Sequence, residues 1–304
     1  MKKIIFMGTP SYATNILKAL VEDKSFVLSL VVTKVDKPSG RGQKISYPHI
    51  KEYILENNLD IELYQVKSLK DESVVKKLSD LKPDFIVVAA YGQILPKDIL
   101  DIAPCINLHA SLLPKYRGAS PIQSAILNGD SYSGVTAMLM SEGLDEGDIL
   151  SYSVLNIEGM NSIELFDKLS FMAGDLIVKC LKEFDNIEPI KQLDALSSYA
   201  KKIQKSDGLV EFNSAKEIDA KYRAFIFWPG VYLSSGLKLK DLSLDSTKGS
   251  YRAGEIIKIE SDFIVVGCKE GRLLIRKVQA PSKKEVDAVS YLKGKRLNIG
   301  DTLL

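Results

Sequence analysis

Asn107 and His109 stand two residues apart in the segment Ile106-Asn107-Leu108-His109-Ala110-Ser111-Leu112-Leu113-Pro114-Lys115-Tyr116-Arg117-Gly118. Residues two apart on a strand share a face, so the amide and the imidazole point the same way while Leu108 turns into packing. Side by side, such groups can stabilise an oxyanion and move a proton. A lone histidine is more often a hydrogen-bonded core group. An amide beside it, just before Pro114 and Gly118 force the chain into a loop, marks a site instead. A second segment, Gly143-Leu144-Asp145-Glu146-Gly147-Asp148, sets three acids among turn residues. Loops of this kind are commonly solvated turns. If the strand before it, Gly134–Met140, lies beside Ile106–His109, then Asp145 reaches His109, where it fixes the tautomer or takes a proton through a water. Three acids without a second histidine suit base chemistry better than a hard-metal cage.

The elements that must carry these groups follow from the apolar pattern. Strand-like runs over Lys3–Met7, Val27–Thr33, Phe85–Tyr91, Ile106–His109 and Gly134–Met140 alternate with amphipathic stretches at Ser11–Asp23, Ile50–Asn58 and Ser68–Leu81. That alternation predicts a doubly wound, mainly parallel, Rossmann-like α/β sheet with helices on its faces. Such sheets bind ligands beyond the carboxyl ends of their strands, where Asn107 and His109 fall. Gly8 follows the first strand without a G-x-G-x-x-G, so a pyrophosphate cannot approach the backbone closely and NAD is not expected. Beyond a helical pattern at Ser162–Phe184, the polar stretch Asn186–Ser206 reads as a linker. One helix, Ala215–Phe225, and short strands at Gly236–Leu244, Gly254–Ile259, Phe263–Gly267 and Arg272–Val278 then predict a small OB-like β-barrel. The expected division is a catalytic domain over 1–188, a linker over 189–206 and a C-terminal domain over 207–304.

Composition bounds the function classes. The chain has 304 residues, 45% apolar and 26% charged, which suits two soluble domains. Its net charge of +2 hides an asymmetry: 18 basic and 13 acidic residues from Lys205 onward give +5, and the first 204 residues give −3. From Lys269 onward there are 9 basic and 4 acidic residues, so the whole excess sits in that last third. A weakly acidic body with a basic tail domain points to a polyanionic partner. Only Ile4 to Met7 follow Lys2 and Lys3 as an apolar run, too few for a signal peptide, and no run approaches the ~18 residues of a membrane helix. Cys105, Cys180 and Cys268 are scattered, and His49 and His109 are the only histidines. That argues against a disulfide framework or a multi-histidine metal site. The expectation is a reduced, cytoplasmic compartment, metal-free chemistry and no membrane partner.

Taken together, several motifs resemble the 10-formyltetrahydrofolate-dependent formyltransferases, over essentially the whole chain. They are Phe6-Met7-Gly8-Thr9-Pro10, Lys37-Pro38-Ser39-Gly40-Arg41-Gly42, the run from Asn107 to Gly118 with Ser-Leu-Leu-Pro at its centre, and Gly143-Leu144-Asp145-x-Gly147-Asp148. Arg223-Ala224-Phe225 to Trp228-Pro229-Gly230 and Gln279-Ala280-Pro281-x-Lys283-Lys284 extend the match into the second domain. The resemblance implies that Asn107, His109 and Asp145 form the catalytic triplet and that Ser111, Leu112, Leu113 and Pro114 lie beside the folate. It also implies that Gly92-Gln93-Ile94-Leu95-Pro96 is the pterin-side loop, with Gln93, Ile94 and Leu95 as its contacts. The loop from Lys34 to Lys44 holds Lys34, Lys37, Arg41 and Lys44 against Asp36, a net of +3. By the same resemblance it holds the acceptor end of an initiator tRNA through Arg41. The basic C-terminal domain, Lys283 and Lys284 included, is expected to grip phosphates without reading sequence. The activity implied is formyl transfer from 10-formyltetrahydrofolate to the α-amine of methionyl-initiator tRNA, for translation initiation, by a monomer. A formyltransferase acting on an amino-sugar nucleotide and a non-enzymatic RNA-binding protein on the same scaffold are the alternatives.

Overall fold

Ile4, Ile5, Phe6 and Met7 are fully buried without alternation, as a parallel strand covered on both faces requires. In the computed structural model, which describes residues 1–39 and 44–303 without the side chains of Ser39 and Lys44, they lie on β1 (Lys2–Gly8). There follow α1 (Ser11–Glu22), β2 (Phe26–Lys34), the hairpin β3 (Lys37–Ser39) and β4 (Lys44–Ser46), α2 (His49–Glu56), β5 (Leu63–Val66) and α3 (Glu72–Asp80). Next come β6 (Phe85–Ala89), α4 (Lys97–Leu100), β7 (Cys105–His109), β8 (Arg117–Gly118), α5 (Pro121–Leu127), β9 (Tyr132–Leu139), β10 (Ile149–Asn156), α6 (Ser162–Glu183) and β11 (Tyr199–Ala200).

Seven strands form one sheet in the order β10-β9-β7-β6-β1-β2-β5. From β7 to β5 every pairing is parallel, whereas β9 runs antiparallel to β7 and β10 antiparallel to β9. The chain leaves β1 toward β2 and β5 and returns to β6 and β7 on the other side, so the topology switches between β1 and β6. Ile5, Met7, Leu30, Val32, Ile86 and Val88 pack on one face with Val74 and Leu78 of α3 and Ile99 of α4. On α1, Tyr12, Ala13, Ile16, Leu17 and Leu20 are buried at helical spacing. Asn15 donates to Ser170 at 2.6 Å and Lys182 pairs with Asp23 at 2.6 Å, fastening α1 to α6. The Asp71 carboxylate accepts from the Ser73 amide and caps α3.

The chain divides into two compact units, the first made of Met1–Pro121, Tyr132–Asn156 and Phe166–Lys201 and the second of Ile122–Ser131, Ile157–Leu165 and Lys202–Leu304. This differs from the expected linker over 189–206. Up to Lys201 that stretch belongs to the first unit: Ile190 and Ile149 exchange backbone hydrogen bonds at 2.8 Å, and β11 pairs in parallel with β8. Apart from buried Ala200 its side chains are polar or exposed while its backbone is paired, and composition alone does not separate a surface strap from a linker.

The second unit carries α7 (Ala215–Phe225), β12 (Val231–Tyr232), β13 (Lys238–Ser246), β14 (Ile256–Ile259), β15 (Ile264–Gly267), β16 (Arg272–Gln279), β17 (Val286–Asp287) and α8 (Ala288–Lys295). Its strands form an antiparallel sheet in the order β12-β13-β16-β15-β14, with β17 also on β16. Register shifts at Leu239/Asp241 and Leu244/Ser246 mark bulges in β13. Leu239, Leu242, Ile264, Val266, Leu273 and Ile275 build its core with Ile218 of α7 and Leu292 of α8.

Candidate active site

β7 pairs in parallel with β6 and antiparallel with β9, with Asn107 opposite Met138 and His109 opposite Thr136. The strand therefore presents Asn107 and His109 on one face near its carboxyl end, as their spacing predicts. His109 is only 7% exposed. Its Nε2 lies 2.8 Å from the carbonyl oxygen of Tyr116, and its Nδ1 faces Asp145 Oδ2 at 3.6 Å, longer than a hydrogen bond. Both nitrogens thus face acceptors; a ring with protons on both can donate to each side, and a neutral ring to only one. Asn107 Nδ2 donates to Asp145 Oδ1 at 3.3 Å.

Asp145 arrives by an unexpected route. Because β9 is antiparallel to β7, its carboxyl end lies at Ile106, and the loop from 140 to 148 doubles back to bring Asp145 to Asn107 and His109. Leu139 N donates to Asp148 O at 2.8 Å and closes the loop at its base. A side chain at Gly147 would collide with the Leu139 carbonyl. Asp145 itself has φ 52°. Its Oδ2 also accepts from Gly118 N at 2.8 Å. The carboxylate is therefore held by a backbone amide and faces both other members of the triplet, with only 13% of its side chain exposed.

The turn after β7 is built into the fold. Ser111 is fully buried and donates to Lys115 O at 2.6 Å. Thr136 Oγ1 donates to Ser111 O at 2.6 Å and accepts from Leu113 N at 3.0 Å, and Tyr152 OH donates to Leu113 O at 2.7 Å. Leu113 is buried, which leaves Leu112 and Pro114 as the half-exposed members. In the segment after β6, Ile94 is 74% exposed and Gln93 half-buried, while Leu95 packs in the core beside Tyr91 and Ile99.

Lys34 and Lys37 belong to the first unit, Lys283 and Lys284 to the second. Lys34 is half-buried at the end of β2, where its Nζ donates to Gly92 O at 3.2 Å; burial, then Lys37, pushes its pKa down. Lys37 is exposed on the β3–β4 hairpin, Arg41 lies outside the described residues, and so does the side chain of Lys44. Lys283 and Lys284 are exposed in the second unit, on the turn between β16 and β17.

Sequence reasoning missed three groups that touch the triplet. The Tyr116 carbonyl and Gly118 amide act through the backbone, which carries no side-chain signature. The third is Gln192, whose Nε2 donates to the carbonyls of Asp145 at 2.9 Å and Gly147 at 2.8 Å; its polar surroundings gave no signal. Among the described residues, no group of three or more His, Cys, Asp or Glu is placed to hold a metal ion, and no helix is long and apolar enough to cross a membrane.

Known proteins resemble this chain in both of its parts. Residues 1–181 match the family described as formyl transferase, and residues 202–296 match the formyl transferase C-terminal domain. The chain is 56% identical over 301 residues to a methionyl-tRNA formyltransferase of a Nitratiruptor species, covering 99% of each chain. It is 53% identical over 303 residues to one of Campylobacter lari, covering 100% of each. Among solved structures, an N-formyltransferase from Helicobacter canadensis in complex with folinic acid and dTDP-3-aminofucose gives a TM-score of 0.68 at 21% identity, covering 92% of this chain and 100% of that one. HypX from Aquifex aeolicus in complex with tetrahydrofolic acid gives 0.64 at 14% identity, covering 100% of this chain and 49% of that one. At those identities the likeness is one of fold. Matched in both of its parts, and identical at more than half of its positions to relatives of equal length, the chain belongs to the formyl transferase family.

Proposed function

We propose that this protein transfers the formyl group of 10-formyltetrahydrofolate to the α-amine of methionyl-initiator tRNA, giving N-formylmethionyl-tRNA. The observation that carries the reading is the convergence of Asn107, His109 and Asp145 at the carboxyl end of β7. The full-length relatives named methionyl-tRNA formyltransferase support the choice of acceptor.

In this reading the free amine attacks the formyl carbon on N10, and a tetrahedral centre forms with negative charge on the former carbonyl oxygen. Asn107 spends one amide hydrogen on Asp145 and has a second to donate to that oxygen. His109 Nδ1, whose approach to Asp145 is too long for a hydrogen bond, is the ring edge free to exchange partners and donate there as well. Asp145, oriented by Gly118 N, accepts the excess proton of the attacking amine through an intervening water. The carbon–N10 bond then breaks as N10 takes a proton, and no covalent enzyme intermediate is needed. A binding protein has no use for all three groups at these distances, which disfavours the non-enzymatic reading. Lys37, Arg41 and Lys44, from the sequence segment Lys34 to Lys44, with the basic second unit, would meet the phosphates of the tRNA.

The test supplies 10-formyltetrahydrofolate with either methionyl-tRNA or an amino-sugar nucleotide and follows which amine gains the formyl group. Formylation of methionyl-tRNA alone is expected; transfer to the sugar amine instead would overturn the reading.

A further inference from the structure

Gln192 lies in the stretch that composition marks as linker, yet inside the first unit its side chain makes three hydrogen bonds to nitrogen or oxygen partners, besides a 4.0 Å approach to Met138 Sδ. Nε2 donates to Asp145 O at 2.9 Å and Gly147 O at 2.8 Å, and Oε1 accepts from Arg117 Nε at 3.0 Å. Only one orientation of the amide satisfies all three, because turning it over sets a carbonyl oxygen against two others. Arg117 is 2% exposed and is held on its other side by Asp194 at 2.9 Å. Its backbone runs in β8, where Arg117 N donates to Ser198 O and Ala119 N to Ala200 O. The residue between them is Gly118, whose amide holds the Asp145 carboxylate.

Asp145 is thus held at two points that meet in Arg117. Its carboxylate is fixed by the amide next to Arg117 along the chain, and its main chain by the amide bonded to the Arg117 guanidinium. The loop needs such a hold, since it doubles back against the direction of β9 and places Asp145 at positive φ.

The geometry points to Gln192 and Arg117 as positioning residues for Asp145: a strap from the 187–201 segment that sets the carboxylate against Asn107 and His109. This rests on the formyl-transfer reading above. A strap of this kind acts on turnover rather than on substrate binding, since a displacement of about 1 Å at a reacting group can cost on the order of 10²-fold in rate.

Two substitutions separate positioning from simple satisfaction of a buried arginine. Gln192→Ala removes all three bonds. Gln192→Glu keeps the shape and the acceptor for Arg117, but it turns an oxygen toward the two carbonyls that the amide held. If the strap positions Asp145, both variants lose kcat by roughly tenfold or more, with Glu no better than Ala and with little change in KM for either substrate. Adding Gln192→Ala to Asp145→Asn then costs little further, because the group being positioned is already gone. Gln192→Glu near wild-type kcat with Gln192→Ala impaired would show that the glutamine only pairs Arg117, and would overturn the proposal. Losses that multiply in the double variant would overturn it too. Thermal midpoints recorded alongside identify any kcat loss that merely follows a lost folded fraction, which counts against the strap. Wild-type protein that formylates neither acceptor would instead defeat the functional reading.

Discussion

His109 is held between Tyr116 O at 2.8 Å and Asp145 Oδ2 at 3.6 Å, and Asn107 shares the same carboxylate. If these two side chains receive the negative charge that develops on the formyl oxygen, His109→Ala and Asn107→Ala should each lower kcat by about 10²–10³-fold, the usual cost of one oxyanion donor. Steady-state formyl transfer at saturating folate and tRNA checks this, and turnover near wild type in both variants would remove them from the chemistry. Cys105, two residues before Asn107 on the same strand, has a different fate. Burial pushes its thiol up to about 12, and Cys180 and Cys268 are buried as well. Incubation of the native protein with an alkylating reagent at pH 8 should leave its formyl-transfer rate unchanged, since so little thiolate is present. Rapid loss of activity would place a reactive thiol at the site. The pairing of Asn107 with His109 was legible in sequence because strand alternation forces them to one face, whereas the loop that doubles back to bring Asp145 to them was not. The triplet's supports were not legible either, because Tyr116 O and Gly118 N belong to the backbone and any residue type supplies them.

The elements that set this geometry are two short pairings and one loop. Gly118 has φ 113°, and a Cβ there would stand 2.8 Å from Ala200 O, against the β8–β11 pairing. Gly118→Ala should therefore lose about 1–3 kcal/mol of stability through backbone strain and also lower kcat, because the displaced amide is the one that holds Asp145. Denaturant unfolding and kcat on the same preparation check both halves; a destabilised variant with normal kcat would separate the amide from catalysis. Elsewhere in the first unit, the hydrogen bond from Lys182 and those from Ser25 hold the Asp23 carboxyl down at about 2. A folded-state pKa below the unfolded value stabilises at neutral pH, and the contribution fades as pH falls from about 4 to about 2. Asp23→Asn should lower the urea midpoint at pH 7, and the gap from wild type should narrow through that acid range. A gap independent of pH would exclude the carboxylate as its source. Element prediction succeeded where burial is continuous, as in β1 and β6, and along α1 and α7. It passed over β10, where exposed Tyr152 and Val154 blur the apolar pattern, and over β11, whose two residues pair only because Arg117 and Gly118 lie alongside.

At the scale of the whole molecule, charge and fold divide the labour. The residues from Lys205 onward carry a net +5, but many cations of the second unit are already matched by acids. Arg223 pairs with Asp219, Arg272 with Asp245, Arg276 with Asp241, Lys258 with Glu260 and Lys277 with Glu285. Lys283 and Lys284, exposed on the turn between β16 and β17, have no such partner among the described residues, so the uncompensated charge includes them. Net charge and its concentration after Lys269 were readable from the sequence, whereas which cations are matched was not, because the pairs of Arg272 and Arg276 run across strands, from β16 to β13, and are set by register. If tRNA is the acceptor, joint replacement of Lys283 and Lys284 by Ala should raise KM for methionyl-tRNA several-fold and leave KM for the folate alone. The dependence of log(kcat/KM) on log salt should become shallower by roughly 0.9 for each phosphate that is no longer neutralised. Both side chains are solvated, so the thermal midpoint should hardly move. A salt dependence identical to wild type would mean that these lysines do not meet phosphate. The polyanion would then have to be held by cations elsewhere, with Arg41 and the lysines of the sequence segment Lys34 to Lys44 the next to replace.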